Sequence, residues 1–150
     1  MILIPLLILQ IILLPYAASA MMSYWTTSSE TIALQDAASH LGSSIQQFYL
    51  FINNPSLSST TVSNNLGVPA YINGNTFLGK ASLTPVSGSE QVLNLSLSLT
   101  GSSISAYSIV DLGQNAQWKP TSTTFTSNSP NACVNAQKYS NGTILLYFST

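Results

Sequence analysis

MILIPLLILQIILLPYAASAMM (residues 1–22), running straight into SYWTTSSETIALQDAASHLGSSIQQFYLFINNP (residues 23–55), decides the fold of this chain. The first part carries no charge, and its polar exceptions are Gln10, Tyr16 and Ser19. An apolar run of about 18 residues or more can cross a bilayer as a helix. Pro5 falls in the first turn, where a missing N–H costs little. Pro15 is internal; it removes one helical hydrogen bond and predicts a kink or local melting. In the second part Leu34, Ala38, Leu41, Ile45, Phe48 and Ile52 recur at steps of three or four, with Ala37 and Tyr49 widening the stripe. That spacing is a helix with one apolar face. Gly42 reads as an interior weakness of about 1 kcal/mol against Ala. Asn53-Asn54-Pro55 stops the helix, since Asn tolerates a left-handed cap and Pro cannot continue.

Between the two parts stands no Pro and no Gly. Thr26, Thr27, Ser28 and Ser29 are weak helix formers that could mark a bend, or an N-cap at Ser29 ahead of Glu30. The spacing predicts one nearly continuous helix over residues 2–52, roughly 75 Å long at 1.5 Å per residue. A small soluble domain cannot bury both halves. The second half can cover a sheet; the first must lie in lipid or among other chains.

Three fates of the first part stay open on the residues alone. Ala18-Ser19-Ala20 has the small-x-small form of a signal-peptide cleavage site, although no Lys or Arg precedes the apolar run. A membrane anchor normally takes its orientation from flanking positive charge, and the first charged residue of either sign is Glu30. The third fate is a helix retained after removal of a short charged leader upstream, with Met1 as first mature residue.

Residues 56–150 lack helical periodicity. EQVLNLSLSLT (90–100) alternates Leu93, Leu95, Leu97 and Leu99 with Asn94, Ser96 and Ser98, a strand with one buried and one wet face. SISAYSIV (103–110) follows Gly101 as its antiparallel partner. Asn141-Gly142 within KYSNGTILLYFS (138–149) and Asn73-Gly74 within YINGNTFLG (71–79) each predict a hairpin, with both turn residues at positive φ. STTFTS (122–127) reads as a Thr-rich strand, and residues 53–63 as the connection from the helix. The fold class is α+β: a long apolar-then-amphipathic helix (1–52, with 1–22 apolar and 23–52 amphipathic) and an antiparallel β-sandwich-like head (53–150).

Composition narrows function. Of 150 residues only seven are charged, three Lys and four Asp or Glu, with no Arg. Nucleic-acid binding is excluded, because neutralising phosphates takes clustered Lys and Arg. The surface must be hydrated by its 39 Ser or Thr and 12 Asn, as suits an extracellular surface or a subunit hidden in an assembly. Cys133 is the sole cysteine, so no intrachain disulfide forms, and it reads as a small buried side chain. Asp36 and His40, four residues apart, are too few ligands for a metal site. No G-x-S-x-G elbow, P-loop or G-x-G-x-x-G occurs, and neither catalysis nor a cofactor is expected. Asn94-Leu95-Ser96 and Asn141-Gly142-Thr143 match the N-glycosylation sequon, whereas Asn54-Pro55-Ser56 is excluded by its proline. Tyr24 and Trp25 sit where interfacial aromatics belong; Tyr49, Trp118 and Tyr139 read as core or strand-pair residues.

An apolar N-terminal helix continuing into an amphipathic one and then a Ser/Thr-rich β domain resembles a type IV pilin. The scarcity of charge and the all-β head are similar to the archaeal branch, the adhesive pilins and archaellins. The likeness is architectural and spans the chain. It implies that a prepilin peptidase removes a basic leader, that the subunit waits in the cytoplasmic membrane, and that an assembly ATPase and platform drive its polymerisation. It also implies that Ile2, Leu3, Ile4, Leu6, Leu7, Ile8, Leu9, Ile11, Ile12, Leu13 and Leu14 pack in the filament core while β heads form an adhesive outer wall. Bacterial pilins usually carry a glutamate at the fifth mature position; here stands Pro5, as suits the archaeal relatives. The alternatives are a secreted monomeric β-sandwich binding module cut from a signal peptide, a membrane-anchored surface protein that never polymerises, and the archaellin of a swimming filament.

Overall fold

A computed structural model describes residues 3–86 and 90–150, with side-chain surroundings from Leu7 onward. A single helix, α1, spans Leu3–Ile52. It runs through Pro15 and through the Thr/Ser stretch without interruption. The reason at the second place is local: Thr26, Thr27 and Thr31 each donate their hydroxyl to the carbonyl four residues back, at 2.9, 3.0 and 2.8 Å. The hydroxyls are satisfied on the helix itself rather than competing for a turn.

Eight strands follow: β1 (Thr60–Asn65), β2 (Phe77–Pro85), β3 (Gln91–Leu99), β4 (Ser105–Leu112), β5 (Ala116–Trp118), β6 (Thr124–Thr126), β7 (Cys133–Lys138) and β8 (Ile144–Ser149). They form two four-stranded sheets, ordered β1-β7-β8-β5 and β4-β3-β2-β6. The second is antiparallel throughout. The first is mixed, because β5 lies parallel to β8, which corrects the purely antiparallel expectation. The two strands are joined by a long crossover that contributes β6 and β7 to different sheets, and parallel pairing requires such a connection.

The leucine alternation holds: Leu93, Leu95, Leu97 and Leu99 are buried, and Asn94, Ser96 and Ser98 face outward. The Asn73-Gly74 pair forms a two-residue turn with φ of 48° and 79°. A lone bridge between Ile72 and Asn75 closes it. The expected hairpin goes no further, because Phe77 opens β2, whose partner is β3. The Asn141-Gly142 hairpin does join β7 to β8, but only Gly142 is at positive φ, 86°. Its N–H bonds the Tyr139 carbonyl (3.0 Å) and Tyr139 N–H bonds the Thr143 carbonyl (2.9 Å), a three-residue loop with a left-handed glycine at its end. β1 begins inside the stretch read as connection (53–63) and runs on to Asn65. Val62 is its one strand-interior apolar residue, so no alternation announces it, and pairing with β7 makes it a strand.

One core unites helix and sheets. Leu34, Ala38, Leu41, Ile45 and Ile52 are fully buried, as the stripe predicts, and they share a cluster with residues of both sheets. Phe125 of β6 and Phe148 of β8 bring the sheets together, ring centroids 4.8 Å apart and edge to face. Trp118 stacks edgewise on Phe148 at 4.9 Å. Helix and β4 approach closely at Gly42, where a Cβ would stand 2.5 Å from Ser108 Oγ and 2.8 Å from Val110 Cγ2. The residue that weakens the helix is the one that lets it seat.

The helix end is held by groups from elsewhere in the chain. Its last turn has no basic residue, but Lys138 of β7, itself buried, reaches the Asn54 carbonyl at 2.8 Å. A cation there complements the negative end of the helix dipole. Asn115 accepts from the Tyr49 hydroxyl. Its amide nitrogen donates to Asn53 Oδ1 at 2.9 Å and to the Gly142 carbonyl at 2.7 Å. Burial pushes the Tyr49 hydroxyl's pKa up, offset in part by a hydrogen bond with the Gly113 backbone.

Candidate assembly surface

What distinguishes this molecule is the part of α1 that touches nothing. From Leu7 to Ser29 every residue is exposed. Leu7, Ile8, Leu9, Ile11, Ile12, Leu13 and Leu14 lie 52–68% open to solvent. Tyr16, Met21, Met22, Tyr24 and Trp25 are at least as open, reaching 77% at Tyr24. Burial begins at Glu30 and Leu34. The helix therefore changes surroundings within about one turn, from no protein contact to the centre of the head. Contiguous exposed apolar surface of this extent marks an interaction or membrane surface. The segment meets the length and hydropathy of a membrane-crossing helix, with a mean hydropathy of 1.6 and none of the relevant window buried.

Of the residues the pilin likeness places in a filament core, Leu7, Ile8, Leu9, Ile11, Ile12, Leu13 and Leu14 stand on this surface. Leu3, Ile4 and Leu6 lie on the same helix, their side chains outside the description, and Ile2 falls outside the described residues. The exposed face continues along α1 through Tyr24, Trp25, Ser28, Ile32 and Asp36 toward the head.

No family model matches the chain, and no curated protein or solved structure matches it either.

The other sequence candidates are scattered. Asn94 is half-buried on the outer face of β3, and its amide nitrogen donates to Thr84 Oγ1 at 2.8 Å. Asn141 is exposed at the β7–β8 turn, where its Oδ1 accepts from Thr143 N–H at 3.0 Å. Asp36 and His40 are both exposed, and no cluster of three His, Cys, Asp or Glu side chains occurs among the described residues. Cys133 is half-buried rather than buried, within 2.8 Å of Ser149 Oγ. Trp118 and Tyr49 are core residues as expected, whereas Tyr139 is exposed at the turn.

Two features had little signal in sequence. Lys138 lies 84 positions from the carbonyl it caps. The glutamines Gln35 and Gln46 lie off the apolar stripe, yet they donate to the β4 carbonyls of Tyr107 (2.9 Å) and Asp111 (3.1 Å). Side chains of the helix thereby occupy the open edge of the second sheet.

Proposed function

We propose that this protein is the structural subunit of an extracellular type IV pilus-like filament, its apolar helices bundled as the core and its β heads forming an adhesive outer wall. The observation that supports this is the unbroken helix, apolar and unburied from Leu7 to Trp25, then locked into the head from Leu34 onward. A purely disposable segment needs no rigid continuity with the core; a polymerisation segment does, because it sets each head's place around the axis.

The energetics fit a subunit stored in membrane and then extracted. Fully burying a Leu or Ile is worth roughly 1.5–3 kcal/mol against water, so a water-exposed stalk is untenable. Transfer from lipid to a bundle of like helices gains far less, since lipid is already apolar. Assembly on this reading uses a prepilin peptidase and a powered platform, and no cofactor, metal or nucleic acid. The role is structural, not enzymatic. Of the two sequons, Asn141 is the more accessible to a glycan.

The decisive experiment replaces Ile8 by Asp. A charge at the centre of an apolar helix costs about 2.5–3.5 kcal/mol on insertion scales, repeated at every subunit of the polymer. Filaments seen by electron microscopy should disappear while the head melts as before. Normal filaments from Ile8→Asp chains refute core packing. A membrane-anchored subunit that never polymerises is favoured by the same exposed helix; on that reading the native protein forms no filaments.

A further inference from the structure

Two four-stranded sheets have four edges, of which one is covered and two are short. The β4 edge is occupied by Gln35 and Gln46 from the helix. β5 and β6 are three residues long. The fourth edge, β1, has six residues, Thr60–Asn65. It pairs with β7 on one side, and among the described residues no backbone group of another segment bonds its other side. Thr61, Ser63, Asn64 and Asn65 are exposed. Natural edges are blunted by charge, proline, shortness or cover. TTVSNN has neither a charge nor a proline, and it is long enough to template another strand.

We propose that β1 is a strand-addition edge that pairs antiparallel with β1 of a second copy, making one continuous sheet across two heads. The occupant follows from chemistry and concentration. Main-chain pairing supplies the attraction. A neutral strand meeting its own copy brings no like charges together. Copies anchored side by side on a surface meet at high effective concentration. The register is restricted as well. Outward-pointing N–H and C=O groups alternate along a strand, so the two-fold axis must pass through a residue. Either Val62 faces Val62 of the second copy, which sets Thr61 against its Ser63, or Ser63 faces Ser63. Under a filament this contact joins heads of adjacent filaments into bundles, but it stands on the head alone.

The test uses the full chain in detergent with Cys133→Ser and a mixture of Thr61→Cys and Ser63→Cys molecules. Facing residues in an antiparallel pair lie about 4.5–5.5 Å apart at Cα, within disulfide reach. Mild oxidation should give 63–63 or 61–63 dimers several-fold above those from Ser82→Cys, an exposed position on the other sheet. Sedimentation should show the Thr61→Lys/Ser63→Lys chain as a monomer where the parent is a dimer, with the melt of both heads alike. Dimers no more frequent than with Ser82→Cys, dimers that survive the lysines, or cross-links to a different protein alone would each overturn the proposal. Ile8→Asp chains should still cross-link through β1, so this idea and the filament reading fail separately.

Discussion

Gly42→Leu is the substitution on which local and tertiary reasoning disagree in sign. On helix propensity alone, replacing an interior glycine by leucine stabilises by about 1 kcal/mol. The packing says the opposite. A single Cβ at this position would meet Ser108 Oγ at 2.5 Å and Val110 Cγ2 at 2.8 Å, where ordinary contacts are about 3.5–4.0 Å. Leucine adds three further carbons in a place with no room for the first. Overpacking of this kind costs typically about 1–3 kcal/mol and occasionally more. The head-facing half of the helix is joined to β4 at Gln35 and Gln46 as well, so relief requires lifting the helix from the strand and loosening those bonds. The net expectation is a loss of at least about 2 kcal/mol, which lowers the melting temperature by roughly 8 °C for a body of this size. Trp118 is buried in the head and Trp25 is exposed on the stalk; in a Trp25→Phe background Trp118 fluorescence reports head unfolding alone. Gly42→Ala should fall between wild type and leucine, and Ser108→Ala should restore part of its loss. A Gly42→Leu head that melts at or above the parent temperature refutes the close approach.

Three further outcomes follow from the same contacts. Lys138→Met keeps the buried stem but removes the amine from the Asn54 carbonyl; hydrogen bonds to charged groups are worth about 1.5–3 kcal/mol, and denaturant titration should show a loss in that range. Tyr49→Phe leaves Asn115 without one donor and should lower stability by about 1 kcal/mol. Because burial raises the Tyr49 pKa, the folded state holds the neutral phenol more tightly than the unfolded chain does. Its contribution is complete below pH of about 10 and is lost as pH rises through the raised folded value. An alkaline stability titration should therefore be steeper for wild type than for Tyr49→Phe. Ile8→Asp, finally, should abolish filaments and leave the head's melting temperature unchanged, as electron microscopy and Trp118 fluorescence together would show.

The helix and its buried stripe were legible because a 3.6-residue period is written in the apolar positions themselves, from Leu34 to Ile52. The same holds for β3, whose leucines alternate. β1 and β5 were not legible, since TTVSNN and AQW carry no alternating pattern and become strands only by pairing with β7 and β8. The Asn73-Gly74 turn was visible but its consequence was not: a turn residue pair fixes φ locally and says nothing about which strand Phe77 will join. Gly42 was read as a defect because propensity is a property of one helix, whereas its use depends on Ser108 and Val110, far along the chain. On the candidate surface, hydropathy located the segment; the fold adds that it stays outside the core while its continuation enters it.

On the proposed reading, the hydroxyl stretch between stalk and head lets one helix serve two solvents. Leu3 to Trp25 spans roughly 33 Å at 1.5 Å per residue, close to the hydrocarbon thickness of about 30 Å. In a membrane-resident subunit Tyr24 and Trp25, both exposed, would fall at the headgroup level that suits their amphipathic rings. Before the first head contact at Glu30, this leaves only Thr26 to Ser29, about 6 Å of helix. A flexible linker there would let the head swing freely and decouple it from the stalk. Instead, Thr26 and Thr27 bond back to Met22 and Ser23, so the neck is polar enough for an interface yet remains helical. Those same bonds leave fewer unsatisfied donors when the neck is pressed against another helix. On the proposed reading, a stretch that looks like a break would transmit orientation from membrane or bundle to head.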